Sequence, residues 1–589
     1  MRLSASQCCT AGVLLYIFGL LQITFFLKIT IVQGIDYIIN DPGLIWKAEH
    51  EKKQLSNLLY FLQQRLPLYN ASLYKGNETS TLNAAIHHGG RKPEFPPRYL
   101  GSSTLNSSSY KPLGGMRFNE YANGDSPYSI SPFIKYASDD IARERKLHIK
   151  AAMKHAWSSY ETLALGSDEL LPVSGGKTSA WGGMGTTLID SLDTLWLMDM
   201  KEEFYTGMNW VEQYLDFNID RNVSVFESTI RCLGGLLSAY EVSGEQCFLE
   251  KAIDLGDRLL WSMNSTKLGI PYGLINLANG VQSFPDWLSA YNVSILADVG
   301  SIQLEFRKLS EFTKNDEYRI RAELIISQLA KLNPTDGLYP YFFFPSEEKG
   351  IQFAVPDTSF GPYGDSFYEY LLKVWLQGGK KESMYREMYD AAIDGLHKRF
   401  LNKAINGLWY IHTGHRKRVD HLTCFMGGLL ALGAITDPRG TDSIKAQRDM
   451  KSAKALTYTC YQMYAQMPTG LSADRVILGN AIFVTEPRYI LRPETVESLY
   501  ILNKVTGDPI FREWAWEIFQ SIDKYCKTKL AYGRYSNVQN VRLRPDDSME
   551  SFFLAETLKY LYLLNDPDSD IKFETHVFNT EGHPLRITQ

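Results

Sequence analysis

From about Arg143 onward, apolar and polar positions repeat in one pattern. A nearly all-apolar helix is followed by a short turn holding Gly or Asp. An amphipathic helix comes next, and then a Gly-containing extended piece. First helices are predicted to begin near Asp190, Leu233, Ser301, Phe367, Phe425, Thr495 and Ser551, at intervals of 43 to 70 residues. One unit is plain in TVESLYILNKVTGDPIFREWAWEIFQSIDKYC, where Asp508 suits the cap and Pro509 the first turn of the second helix. HLTCFMGGLLALGAI is apolar nearly all round, which predicts burial. Seven such hairpins cannot each bury an apolar face alone, but stacked side by side they can. A closed ring also needs no polar end caps. The prediction is an all-α fold, an (α/α)7 barrel with inner helices inside an outer ring, spanning 146–589 with a concave mouth.

The pattern changes toward the N-terminus. Ala11–Leu27 is uncharged and mostly apolar, and Ile29–Val32 resumes the run after Lys28, so 11–33 is long enough to cross a bilayer. This reads as a signal anchor, with residues 1–10 as a cytosolic tail and the body luminal. A cleaved signal peptide cut near Gly34 is the competing reading, and the length of the run favours the anchor. Residues 34–145 are rich in Ser, Asn, Gly, Pro and Tyr and read as a luminal stem. Glycosylation sequons stand at Asn70, Asn77, Asn106, Asn222, Asn264 and Asn292, all beyond the apolar run. Both membrane readings place the body in the secretory lumen, and ER and cis-Golgi residence are both open. Disulfides form there.

Composition narrows the partners. Lys and Arg total 61 against 66 Asp and Glu, so no basic excess marks the chain for nucleic acid. The 35 Tyr and 11 Trp supply core, and also faces on which sugars stack. No P-loop, GxGxxG, HExxH or paired CxxC motif is present. The chemistry-bearing feature is a set of acids at the ends of apolar helices: Glu227, Asp365, Glu494, Glu497, Glu550, Glu556 and Glu581. One such acid is ordinarily a cap or an ion pair. Several in equivalent places predict a carboxylate-lined mouth, because acids in apolar runs are costly unless paired, hydrated or metal-bound. Paired carboxylates suit glycoside hydrolysis, one protonating the leaving oxygen and one activating water.

The segments GGMGTTLIDSLDTLWLM, VFESTIRCLGGLLSAY, GDSFYEYLLK, DHLTCF, LRPETVESLY, MESFFLAETLKYLYLL and HVFNTEGHP, in that order, resemble the class I α-1,2-mannosidases, glycoside hydrolase family 47. The resemblance covers about Ala151 to Leu585. It implies a seven-hairpin barrel, a bound Ca2+ and inversion at the anomeric carbon. It implies Glu227 or Asp365 as the general acid, an open choice, and Glu494 as the base. Arg231, four residues after Glu227, would lower the pKa of an acid beside it. Thr580 is implied as the calcium ligand, with Glu497, Glu556 and Glu581 holding the outer shell. Phe552 is implied as a floor for the terminal sugar, and His421, Arg492, Arg231 and Asp298 as further lining. Cys424 and Cys460 match the family's disulfide, which in the loop-entropy model is worth about 3–4 kcal/mol. Cys232, Cys247 and Cys526 are then left as thiols.

Two positions depart from the family. ER-type members carry Arg where Tyr363 stands, which puts ER-type branch selectivity in doubt. Asp298 stands where Glu is usual. The expected activity is calcium-dependent exo-hydrolysis of α-1,2-linked mannose from high-mannose N-glycans on glycoproteins. The rival reading is an ER degradation-enhancing mannosidase-like protein that reads or trims glycans on misfolded clients. The sequence does not fix an oligomeric state.

Overall fold

The computed structural model describes residues 123–124, 132–264, 267–345, 350–413 and 417–588. The predicted tail, anchor (11–33) and most of the stem lie outside the described residues, as do the sequons at Asn70, Asn77 and Asn106. Among the described residues no helix is long and apolar enough to cross a membrane.

Among the described residues fourteen helices of seven or more residues build the body. They are α1 Pro132–Ala164, α2 Thr186–Leu197, α3 Lys201–Tyr214, α4 Gly234–Ser243, α5 Gln246–Asn264, α6 Gln303–Thr313 and α7 Asp316–Leu332. There follow α8 Asp365–Gln377, α9 Ser383–Arg399, α10 Met426–Ile435, α11 Ile444–Ala465, α12 Glu494–Thr506, α13 Ile510–Tyr525 and α14 Leu558–Leu564. Shorter turns of helix precede several of them. Local chemistry explains the boundaries. The Ser443 hydroxyl and the Asn315 carboxamide cap α11 and α7 by accepting backbone N–H groups. On α13 the residues Phe511, Trp514, Ala515, Ile518 and Ile522 are buried while Glu517 and Lys524 face out.

The apolar helices pack in a circuit. α2 packs on α4, α4 on α6, α6 on α8, α8 on α10, α10 on α12 and α12 on α14. The turn leading into α14 returns to α2. Each also packs on an amphipathic partner, α2 on α3 and so on through α12 on α13. The result is a helical barrel. The inner helices approach closely: a Cβ on Gly427 would stand 2.0 Å from the Thr457 hydroxyl of α11. Cys424 and Cys460 are joined in a disulfide, with their Cα atoms 5.9 Å apart. Cys232, Cys247 and Cys526 are free thiols.

Three features differ from the expectation. The helix beginning at Ser551 is not followed in sequence by an amphipathic partner. α14 packs instead on α1, the first helix described, because the chain must close on itself. The boundary drawn between 145 and 146 therefore falls inside a helix. Packing begins earlier, where Arg512 reaches Ser138 at 3.1 Å and Asp139 at 2.6 Å. Nor is the body purely helical. The Gly-containing links form short antiparallel strands, such as Asn222–Ser224 with Leu274–Asn276. The last pair, His576–Phe578 and Pro584–Arg586, packs on α8 and α4, inside the circuit of inner helices.

Candidate active site

The tip of that last hairpin is the centre of the site. Asn579, Glu581 and His583 are all buried. Glycine at 234 makes room for them, since a Cβ there would lie 2.6 Å from Asn579 Nδ2 and 3.1 Å from His583 Cδ2. Beneath the tip, His583 lies between two acids of α2, with Nε2 3.0 Å from Asp190 Oδ1 and Nδ1 2.8 Å from Asp193 Oδ2. Lys559 donates to Asp193 at 3.0 Å and to the Gly582 carbonyl at 2.7 Å. Burial would push Asp193 up, but Lys559 and His583 outweigh it and hold the carboxyl near 2. This charged plug fixes the tip to the barrel floor.

Around the tip stand the acids predicted from sequence. Arg231 Nε donates to Glu227 Oε2 at 2.7 Å, while its Nη1 donates to Ser551 Oγ at 3.1 Å and pairs with Glu581. The guanidinium lies 5.0 Å from the Trp181 ring centre and 5.7 Å from that of Phe552. Trp181, Glu227 and Arg231 line a cavity of about 210 Å³. Arg231 sits in a π-helical turn, Ser228–Leu233, just before α4.

The carboxylates act on one another in an unbroken chain. Asp298 is pushed up to about 8 by burial and by the neighbouring Glu227 and Asp365. Asp365 is raised to about 7, chiefly by burial, with Glu369 and Glu494 adding repulsion. Ser366 N–H donates to Asp365 at 3.0 Å and opposes this rise without cancelling it. Glu497 is raised to about 8 by burial and by Glu369 and Glu494, against the pull of Lys373. Glu556 and Glu581 are held well above the carboxylate range, first by burial and then by other acids of the group.

Glu494 goes the other way. Burial alone would raise it, but His421 and Arg492 hold it below its ordinary value. His421 Nδ1 lies 2.7 Å from Glu494 Oε2 and so carries the proton shared with that carboxylate. His421 Nε2 lies 2.8 Å from the Tyr464 hydroxyl. Arg492 Nη1 is 3.6 Å from Glu494 Oε1.

Among residues proposed from sequence, Glu227, Arg231, Asp298, Asp365, His421, Arg492, Glu494, Glu497, Phe552, Glu556, Thr580 and Glu581 therefore share one neighbourhood. Glu550 does not join the chain of acids and pairs with Arg534. Asn222, Asn264 and Asn292 are exposed. Tyr363 is 41% exposed, with a φ of 76°, and packs against Trp287, Tyr341 and Phe342 at the rim. Sequence reasoning missed Trp181, Asp190, Asp193, Lys373, Lys559, Asn579 and His583. A signal existed for some of them: Asp190, Asp193 and Lys559 are charges inside apolar helices.

Among the described residues no three His, Cys, Asp or Glu side chains converge to grip a metal by themselves. The donor set instead offers a hydroxyl at Thr580, part-exposed at the tip, beside buried acids that Arg231 and Lys373 partly offset. That set fits a hard, water-carrying cation held by few direct protein ligands.

Comparison with known proteins agrees with this arrangement. The profile of glycosyl hydrolase family 47 matches residues 152–587. The chain is 44% identical over 457 residues to a mannosyl-oligosaccharide 1,2-alpha-mannosidase of Arabidopsis thaliana, covering 76% of this chain and 80% of that one. It is 40% identical over 462 residues to human mannosyl-oligosaccharide 1,2-alpha-mannosidase IB, covering 76% and 71%. The structure of an alpha-1,2-mannosidase from Trichoderma reesei superposes with a TM-score of 0.69 at 29% identity, covering 76% of this chain and 99% of that one.

Proposed function

The chain belongs to glycosyl hydrolase family 47, and from that premise we propose that it is an exo-acting mannosyl-oligosaccharide 1,2-α-mannosidase that removes terminal α-1,2-linked mannose from high-mannose N-glycans. One observation carries the reading: in a single mouth, Asp365 is held near pH 7 while Glu494 is held below its ordinary value. Pairs of carboxyls whose surroundings push them apart supply an acid and a base at the same pH.

Asp365 is the acid in this reading. Glu227 is instead tied up by Arg231, whose Nε stands 2.7 Å from its Oε2. Glu494 accepts a proton from water as the water oxygen bonds to the anomeric carbon. The glycosidic C–O bond breaks, and Asp365 passes its proton to the leaving oxygen. Attack opposite the leaving group inverts the centre, which calls for the two carboxyls to stand about 6.5–9.5 Å apart with the water between. His421 and Arg492 keep Glu494 deprotonated and aimed. Phe552 offers the terminal sugar a face and Arg231 orients it.

Thr580 would hold Ca2+, with Glu497, Glu556 and Glu581 arranging the shell. The ion, when bound, supplies a hard positive contact to sugar hydroxyls and favours an oxocarbenium-like ring. The architecture reads as seven helical hairpins, with α14 and α1 as the pair that closes the ring. We read residues 11–33 as the anchor of a single-pass luminal enzyme of the ER or cis-Golgi.

The test is the soluble body incubated with a Man9 N-glycan, with and without EDTA, and followed by mass spectrometry. EDTA-sensitive release of mannose is expected. A stop after one mannose means ER-type selectivity despite Tyr363, and steady trimming toward Man5 means Golgi-type. Folded protein that releases nothing overturns the reading and favours a glycan reader acting on misfolded clients.

A further inference from the structure

Glu305 lies on α6 and is fully buried. Among the described residues no Lys, Arg or His stands at ion-pair distance from it, and the charge of His583 acts on it only at longer range. Its Oε1 accepts two hydrogen bonds, from the Tyr370 hydroxyl and from Asn579 Nδ2, each at 2.7 Å. Its Oε2 is buried and has no partner.

Both of those partners act on the hairpin tip. The Tyr370 oxygen, having donated its proton to Glu305, accepts the Thr580 N–H at 3.3 Å. The Asn579 Oδ1 accepts the N–H groups of Glu581 at 3.0 Å and His583 at 2.8 Å. The second bond from Asn579 Nδ2 goes to the Ile230 carbonyl, one residue before Arg231. One carboxylate oxygen thus holds the residue before Thr580 and, through Tyr370, the Thr580 amide itself. Tyr370 and Asn579 are buried as deeply as Glu305. Among the described residues, both side-chain hydrogen bonds that Glu305 accepts lead to the turn.

We propose that Glu305, acting through Tyr370 and Asn579, is the positioning residue that presets the Thr580–Glu581 turn for its cation. The proposal rests on the calcium reading given above. Groups behind a metal's direct ligands typically change affinity 10–100-fold when removed, because they fix where the ligand oxygens stand.

The decisive variant is Tyr370→Phe, which keeps the ring and deletes the one hydroxyl joining Glu305 to Thr580. Calcium binding is measured by titration calorimetry on folded protein, and mannose release is followed as calcium is raised. Tyr370→Phe is expected to weaken calcium binding about 10–100-fold, as for other such outer groups. Its kcat at saturating calcium should stay near wild type, so the defect lies in the calcium requirement. Glu305→Leu removes both acceptances and should weaken binding at least as much. Glu305→Gln keeps an acceptor oxygen and should restore most of the affinity. A purely structural role would lower the melting temperature and leave the calcium dissociation constant alone. If the wild type binds calcium and Tyr370→Phe binds it equally well, the positioning role is wrong and the calcium reading stands. If the wild type binds no calcium, both fall.

Discussion

At Asp365 and Glu494 the same residue chemistry is driven in opposite directions. Both carboxyls open a helix, where the dipole favours a negative charge. Burial overrides that dipole at Asp365, although the Ser366 amide and Asp365's own amide oppose it. At Glu494 the imidazole and guanidinium win. Asp365, as the proposed acid, must be protonated to work, so activity is expected below its raised pKa and lost as pH climbs through about 7. Glu494, the proposed base, stays charged to below its ordinary value, so the acidic limb falls there. The kcat/KM profile should therefore decline above about pH 7, and Glu494→Gln should lose about 10²–10⁴-fold in kcat. A flat profile from pH 6 to 8.5, or normal turnover by Glu494→Gln, sinks the assignment.

At the scale of elements, the barrel helices place the site only after local irregularity. Arg231 and Glu556 both lie in π-helical turns, Ser228–Leu233 and Phe553–Thr557. Such turns are frequent at functional sites. The closing hairpin is the other irregular element, and it depends on space. Gly234→Ala would set a methyl against Asn579 and His583, neither of which has room to retreat. Overpacking of this kind costs about 1–3 kcal/mol. Chemical denaturation should show that loss in Gly234→Ala. Unchanged stability would mean the tip yields more readily than its burial suggests.

At the scale of the molecule, ring closure and buried charge set how stability answers to pH. α1 closes the barrel through Arg145 on Glu513, at 2.7 Å, and Lys146 on Asp566, at 2.8 Å. Inside, Asp365, Asp298 and Glu497 titrate near 7 or 8 when folded. Between the ordinary carboxylate range and those values, the folded chain keeps protons that the unfolded chain has released. Stability without metal therefore falls as pH rises through that window. A bound cation offsets the same repulsion, so it stabilises most where the acids are charged. Thermal unfolding with EDTA or calcium should show a larger calcium-induced rise in Tm at pH 8 than at pH 5. Equal increments at both would separate the cation from these acids.

Periodicity alone gives the helical units, because an apolar stripe must be buried whatever the topology, and the start of each inner helix is readable to within a few residues. Acids in apolar runs likewise mark Glu227, Asp365, Glu494, Glu497, Glu556 and Glu581, since their cost is local and visible in sequence. What periodicity does not contain is which distant elements meet. That α14 takes α1 as its partner follows from closure of the ring, a constraint on the whole chain. That Glu305 faces Asn579, 274 positions away, follows from the hairpin entering between α4 and α8. The opposite protonation of Asp365 and Glu494 is also tertiary. It depends on desolvation and on His421 arriving from another repeat, and neither is a property of the residue or its neighbours in sequence.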